Sequence, residues 1–228
     1  MRILAIDSSA KAASVAVVED GKILGETFLN CGLTHSVTIM PSVEWLLEKC
    51  ELEISDIDRI AISEGPGSFT GLRIGMAAVK GLAWSDEIPC VGVSTLLAAA
   101  EGVRHIKGII CAVMDARAGQ VYNAVFKSDG KTLTRLCDDR AIETAKLIDE
   151  LYGEESVTVC GDGTEVLMES APGNFVAAPE HIRHQRATTV AFLAEKASAV
   201  SGKELEPEYI RLPQAERQRL EKLKKEGI

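Results

Sequence analysis

No two of the six cysteines, Cys31, Cys50, Cys90, Cys111, Cys137 and Cys160, stand at Cys-x-x-Cys spacing. The scatter offers no thiol metal site or redox motif, and several of them lie in apolar stretches where cysteine acts as a small hydrophobe. The chain also lacks an apolar run long enough to cross a membrane and an N-terminal signal pattern, so a reduced, cytoplasmic protein without a membrane role is expected. Basic charge is short as well. The net charge is −9, and phosphate contacts need clustered Lys and Arg, so the body of the chain is a poor nucleic-acid binder by itself. Finally, there is no serine nucleophile elbow, no Cys–His signature and no His-Glu-x-x-His, which leaves a peptidase without its catalytic groups.

What is present is a glycine-dense stretch, Gly65-Pro66-Gly67-Ser68-Phe69-Thr70-Gly71-Leu72-Arg73-Ile74-Gly75. It follows an apolar run, Ile60 to Ser63, that reads as a strand, and precedes Met76 to Trp84, which reads as a helix. Glycine lets another chain or a phosphate approach the backbone closely, and a helix N-terminus favours an anion. The spacing is nevertheless neither a P-loop, which needs Gly-Lys-Ser/Thr where Gly71-Leu72 stands, nor the dinucleotide fingerprint, which has one residue fewer between Gly67 and Gly71. The helix that follows carries Gly71, Gly75 and Gly81 with Ala77, Ala78 and Ala83. Each internal glycine costs ~1 kcal/mol against alanine. The compensation is either tight packing on the chain's own sheet or a smooth face for a partner helix.

Strands are expected over Arg2 to Asp7, Ala13 to Glu19 and Lys22 to Leu29, with Asp20-Gly21 as a hairpin turn. A helix follows from Ile39, Met40, Val43, Leu46, Leu47 and Cys50, kinked or restarted at Pro41. Ile88 to Val93 and a helix capped by Ser94 complete a first half of order βββαβαβα. The second half opens the same way: Ile106 to Met114, Gln120 to Lys127, an Asp129-Gly130 turn, then Lys131 to Asp138 as a third strand. Helices at 144–152, about 164–170 and 188–200 and short strands near Cys160 and Phe175 follow. Two halves with one opening imply an internal duplication. Expected units are an N-terminal lobe 1–103, a C-terminal lobe 104–210 and a basic helical tail 211–228. That tail has six basic and three acidic residues, and reads either as a solvated helix face or as an RNA contact.

Candidate chemistry is sparse. Asp7-Ser8-Ser9, in the first hairpin turn, is either a metal–phosphate positioning group or an Asx turn. His35 is a candidate base without an evident partner and reads better as a capping or interface residue; His181 and His184 lack further ligands for a metal. Asp115 and Arg117 form a structural ion pair or line a cleft at a strand end.

Several stretches together carry a family resemblance. They are Leu4 to Ser9, Thr34-His35-Ser36, the Gly65–Gly75 run, Lys80 to Ala83, Gly92 to Leu96, Met114 to Arg117 with Val121-Tyr122, and Pro207 to Arg211. The chain resembles the TsaB (YeaZ) family of the tRNA threonylcarbamoyladenosine (t(6)A) system over nearly its whole length. The resemblance implies an α/β fold of two duplicated lobes of the actin/Hsp70/sugar-kinase (ASKHA) type. It implies a non-catalytic paralogue of TsaD, the subunit that transfers threonylcarbamoyl to adenosine N6 in tRNA. TsaD holds its metal through His-x-x-x-His, whereas Ile39 stands four after His35 here, so no metal is expected.

The implied partners are a TsaD-like catalytic subunit, a TsaE-like ATPase, tRNA through the complex, and a second copy of the chain when alone. No cofactor is required, with ATP or ADP possible at the partner junction. The expected partner surface is Ile39, Met40, Val43, Leu46 and Leu47 with Leu72, Met76, Val79 and Ala83. Nucleotide or anion contact would fall to Asp7, Ser8, Ser9, Gly65, Gly67, Ser68 and Gly71, although Ser9 replaces the superfamily's phosphate-loop glycine. The alternatives are a small ATP-binding enzyme, an ATPase or kinase, and the glycoprotease-like peptidase of older labels.

Overall fold

A computed structural model describes residues 1–211, so the expected basic tail lies, Arg211 apart, outside the described residues. The first sheet is built from β1 (Arg2–Asp7), β2 (Ala13–Glu19), β3 (Lys22–Leu29), β4 (Arg59–Gly65) and β5 (Cys90–Ser94), in the order β3-β2-β1-β4-β5. The β1–β2–β3 ribbon is antiparallel; β4 and β5 add in parallel. The second sheet has β6 (Gly108–Asp115), β7 (Gln120–Ser128), β8 (Leu133–Arg135), β10 (Val157–Cys160) and β11 (Phe175–Ala177), while β9 (Arg140–Glu143) pairs with the free half of β7. Read from β8, the order β8-β7-β6-β10-β11 repeats the first sheet strand for strand, antiparallel then parallel. The duplication inferred from two like openings is therefore present in the topology.

Both faces of each sheet are covered, which is why the inner strands read as nearly continuous apolar runs. Period-two alternation assigns the sides. Leu4, Ile6, Val15, Val17, Ile60 and Ile62 face α1 (His35–Lys49) and α2 (Phe69–Ala83). Ile3, Ala5, Ala16, Val18, Ala61 and Val91 face α7 (Ala187–Ala194). In the second sheet Ile110, Ala112, Met114 and Phe126 face α3 (Thr95–Gly102). On its other side Cys111, Val113 and Val125 face α4 (Thr144–Leu151) and α5 (Thr164–Met168). The short α6 (Glu180–Arg183) leads into α7.

The lobes exchange helices. Helix α3 leaves the first sheet and packs on β6 and β7; α7 leaves the second and closes the back of the first. An expected C-terminal lobe of 104–210 is corrected accordingly, since α7 and the segment after it belong with the first sheet. Buried groups fasten the return. Ala187 N–H donates to Ser14 Oγ (3.0 Å), Arg186 Nη1 pairs with Glu26 (2.9 Å), and Arg59 Nη1 reaches the carbonyl of Ala197 (2.9 Å) at the helix end.

Other expectations shift for local reasons. Helix α1 passes through Pro41 unbroken; the missing N–H forfeits a bond only to the carbonyl of exposed Val37. Helix α2 begins at Phe69 rather than Met76, because Ser68 caps it by accepting the Gly71 N–H. The third strand of the second half divides into β8 and β9. The last helix ends at Ala194, and Val200 instead bridges Cys90.

Small residues let α7 approach the sheet, and Ala191 is fully buried there. Ala191→Leu overfills that seam and should cost about 1–3 kcal/mol, read as a lower midpoint of urea unfolding at unchanged slope.

Candidate functional site

A cleft of about 650 Å³ opens between the lobes. Its floor is built from strand ends: the β1–β2 turn with Ser9 and Lys11, the start of α2, the β6–β7 turn with Asp115 and Arg117, and Asp162 after β10. The residues proposed from sequence for anion contact meet here, but they engage one another. Asp7 is 1% exposed; its Oδ1 accepts from Ser9 N–H (3.0 Å) and Ser9 Oγ (2.7 Å), and its Oδ2 from the Ser63 hydroxyl. It is an Asx turn that clamps β1 to β4, not a group facing the cleft.

The glycines are filled from within the chain. Gly71 and Gly75 stand one helical turn apart, so their missing side chains form a notch on α2. Ser8 occupies it, with Oγ donating to the Gly71 carbonyl (2.9 Å). A Cβ at Gly71 would lie 2.1 Å from the Ser8 carbonyl oxygen, and one at Gly75 2.2 Å from Ser8 Oγ. Gly67 N-terminal to the helix backs onto the Ser9 carbonyl, which accepts the Ser68 N–H at 2.7 Å. Gly65, at φ +140°, leaves room for the Glu208 carbonyl, 2.2 Å from where its Cβ would stand. The side-chain space that these glycines leave is thus taken by the carbonyl oxygens of Ser8, Ser9 and Glu208 and by Ser8 Oγ. Of the seven anion candidates, Ser9, Gly67, Ser68 and Gly71 still line the cleft; Asp7, Ser8 and Gly65 do not.

The cleft's polar groups are elsewhere. Asp115 Oδ1 accepts the Arg117 backbone N–H (2.7 Å), so the pair is a turn and not an ion pair. His35 Nε2 meets the Ala10 carbonyl at 2.8 Å, which assigns the proton to Nε2 and leaves Nδ1 a buried acceptor without a partner. Asp162 Oδ1 is likewise buried and unpartnered. Burial, with the charge of Asp115 adding to it, pushes this carboxyl up to about 6. Among the described residues no group of His, Cys, Asp or Glu could hold a metal ion, and no helix is long and apolar enough to cross a membrane.

The second feature is a surface. Of the nine expected partner-facing residues, only Met40 is exposed. Ile39, Val43, Leu46, Leu47, Leu72, Met76, Val79 and Ala83 turn inward onto the sheet, because the larger apolar side of each helix gains more by covering the core. The outward side of α1 carries Val37, Met40, Pro41 and Trp45, the last 51% exposed. Beside it α2 turns out Arg73, Ala77, Gly81 and Trp84, the last 71% exposed, with Ile74 and Ala78 half-buried. Two tryptophans on the polar sides of neighbouring helices were the sequence signal for this face.

Two mixed sheets of one repeated topology, flanking a central cleft, define a two-lobed α/β protein with an internally duplicated fold. The profile of the family TsaD, tRNA N6-adenosine threonylcarbamoyltransferase, matches residues 30–218. The tRNA threonylcarbamoyladenosine biosynthesis protein TsaB of Bacillus subtilis is 33% identical over 98% of this chain and all of its own length. Its Escherichia coli namesake is 42% identical over 57% of this chain and 56% of its own. YeaZ from Pseudomonas aeruginosa superposes with a TM-score of 0.76 at 24% identity, over 91% of this chain and 99% of that one. The chain belongs to the TsaB (YeaZ) family.

Two predictions follow from the site. Gly→Ala in an exposed helix normally stabilises by ~1 kcal/mol, and Gly81→Ala, with nothing near its Cβ, should do so. Gly71→Ala should reverse the sign and lower the melting temperature, since Ser8 must leave its notch. For Asp162, the folded value of about 6 lies above the free carboxyl's 3.8, so the folded state binds the proton more tightly. Stability should fall as pH rises from about 4 to 6, by at most about 3 kcal/mol. Asp162→Asn should flatten that decline in urea titrations at successive pH values.

Proposed function

We propose that this chain is a non-catalytic subunit of tRNA threonylcarbamoyladenosine synthesis. It pairs with a larger TsaD-like catalytic subunit through the outward side of α1 and α2. The observation that carries this reading is the exposed apolar strip of Val37, Met40 and Trp45 beside the smooth Ala77–Gly81 ridge. An apolar strip on paired helices is a helix-docking surface, and small residues let a partner backbone come close. The full-length likeness to the Bacillus subtilis protein supports the pathway. The filled glycine notch supports an accessory role rather than the alternative of an ATPase or kinase working alone, because the space that the glycines leave is taken by Ser8, Ser9 and Glu208.

In this reading the chain acts by presenting a rigid helix pair. Residues of the first lobe's core hold α1 and α2 from beneath, and the strap at 207–211 holds the start of α2 from the side. The resulting heterodimer supplies the docking platform for a TsaE-like ATPase, receives any ATP or ADP at the subunit junction, and meets tRNA through the catalytic subunit. In the absence of its partner the same strip would pair with a second copy of the chain.

Ala77→Glu places a charge at the centre of the ridge while leaving the core untouched. Co-elution with the TsaD-like subunit should be lost, and reconstituted tRNA modification should drop by at least about 10²-fold, the cost of an unpaired buried charge. A variant that still co-elutes and supports modification would move the interface to another surface.

A further inference from the structure

We infer that Arg73 is a pre-formed carboxylate receptor at the edge of the α1–α2 face, and that the partner helix seated there carries an acidic side chain opposite it. The inference rests on the reading of that face as the subunit interface. Arg73 is exposed on the outward side of α2, yet its guanidinium has two aromatic partners within the chain. Its Cζ lies 3.9 Å from the Phe69 ring centroid. Its Nε donates to Tyr209 Oη at 3.1 Å. Tyr209 in turn packs on Phe69, with centroids 4.9 Å apart. Tyr209 belongs to the strap that Glu208 N–H fastens to the Glu64 carbonyl (2.7 Å) and that Arg211 Nη1 ties to the Ala116 carbonyl (3.1 Å).

This anchorage uses only Nε. Both terminal NH₂ groups are without a hydrogen-bond or ion-pair partner among the described residues, while the plane of the fork is already fixed. An arginine so held loses little rotamer freedom when it binds, and its two parallel N–H vectors match a carboxylate. Stacking and one tether would suffice to keep the strap in place; neither requires the free fork to face outward.

The surroundings select the occupant. Helix α2 has two basic residues, Arg73 and Lys80, and no acidic one, in a chain of net charge −9. Seven residues apart, they share a side of the helix about 10 Å apart, with Ala77 between them and Ile74 next to Arg73. A phosphate backbone needs clustered cations, whereas a lone fork next to small and apolar residues suits one carboxylate on a protein helix. Local charge thus favours a partner protein over RNA.

The test measures affinity of the full-length chain for its TsaD-like partner by calorimetry at low and high salt, with melting temperature recorded for each variant. Arg73→Gln should weaken binding about 10–100-fold at low salt and remove most of the salt dependence, and Arg73→Lys should fail to restore it. Tyr209→Phe keeps the charge but frees the guanidinium, and should weaken binding by a smaller factor. If Ala77→Glu abolishes binding while Arg73→Gln stays within twofold of the unaltered chain at both salts, the receptor is overturned and the interface stands. If Ala77→Glu binds normally, the interface reading falls and the receptor with it. Should Arg73→Gln lower the melting temperature, a double-mutant cycle between Tyr209→Phe and neutralisation of the partner's acidic residues decides: additive effects overturn the proposal. Self-association that depends on Arg73 while the heterologous partner does not would assign the fork to a second copy, and overturns it equally.

Discussion

The geometry around the cleft depends on one close approach of main chain to main chain: Ser8 seated in the notch left by Gly71 and Gly75. A helix can come this near a hairpin turn only where two successive turns lack side chains. The contact replaces ordinary side-chain packing with a hydroxyl donating to a helix carbonyl and a backbone bond from Ser68 to Ser9. Because Asp7 ties the same turn to β4 through Ser63, strand, turn and helix are joined by one continuous set of hydrogen bonds. The orientation of α2 about its axis is thereby set, and with it the residues presented outward.

The same device recurs in the second lobe. Gly161 and Gly163, after β10, leave room for the backbone of Val113 and Met114 at the end of β6, just as the loop after β4 leaves room for the turn after β1. Two copies of one topology thus solve the same packing problem in the same place, and the helices α3 and α7 that each copy lends to the other lock the pair together. The cleft is what remains between them. Its floor carries polar groups in unusual condition, notably the unpartnered oxygen of Asp162, and the glycine loop beside it packs on the chain's own β1–β2 turn.

The frame carries two helices supported by the first sheet, and these helices expose apolar and small residues that nothing in the described chain covers. The strap at 207–211 binds the start of α2 and the β6–β7 turn together, and it carries the tyrosine that accepts from the arginine at the edge of the face.

Much of this was legible in the residues. Alternation and Asp-Gly turns placed the β1–β2–β3 and β6–β7 ribbons, the repeated opening announced the duplication, and Ser94 marked the start of α3. The glycine spacing excluded the common phosphate loops before any coordinates. The sequence also identified the two helices of the proposed face, but periodicity only tells that a helix has an apolar side. It cannot tell which side the sheet will take, so Val43, Met76 and Val79 read as partner-facing when the core claims them. Likewise the glycines of α2 were open to two uses: Gly71 and Gly75 meet the chain's own turn, while Gly81 faces out. The strap, the crossing of α7 to the first sheet and the bond from Arg73 to Tyr209 join residues far apart in the chain. Local propensity and spacing placed most of the elements, and motif resemblance pointed to the family; only the tertiary structure, through competition among distant surfaces for burial, decided which faces remained outside.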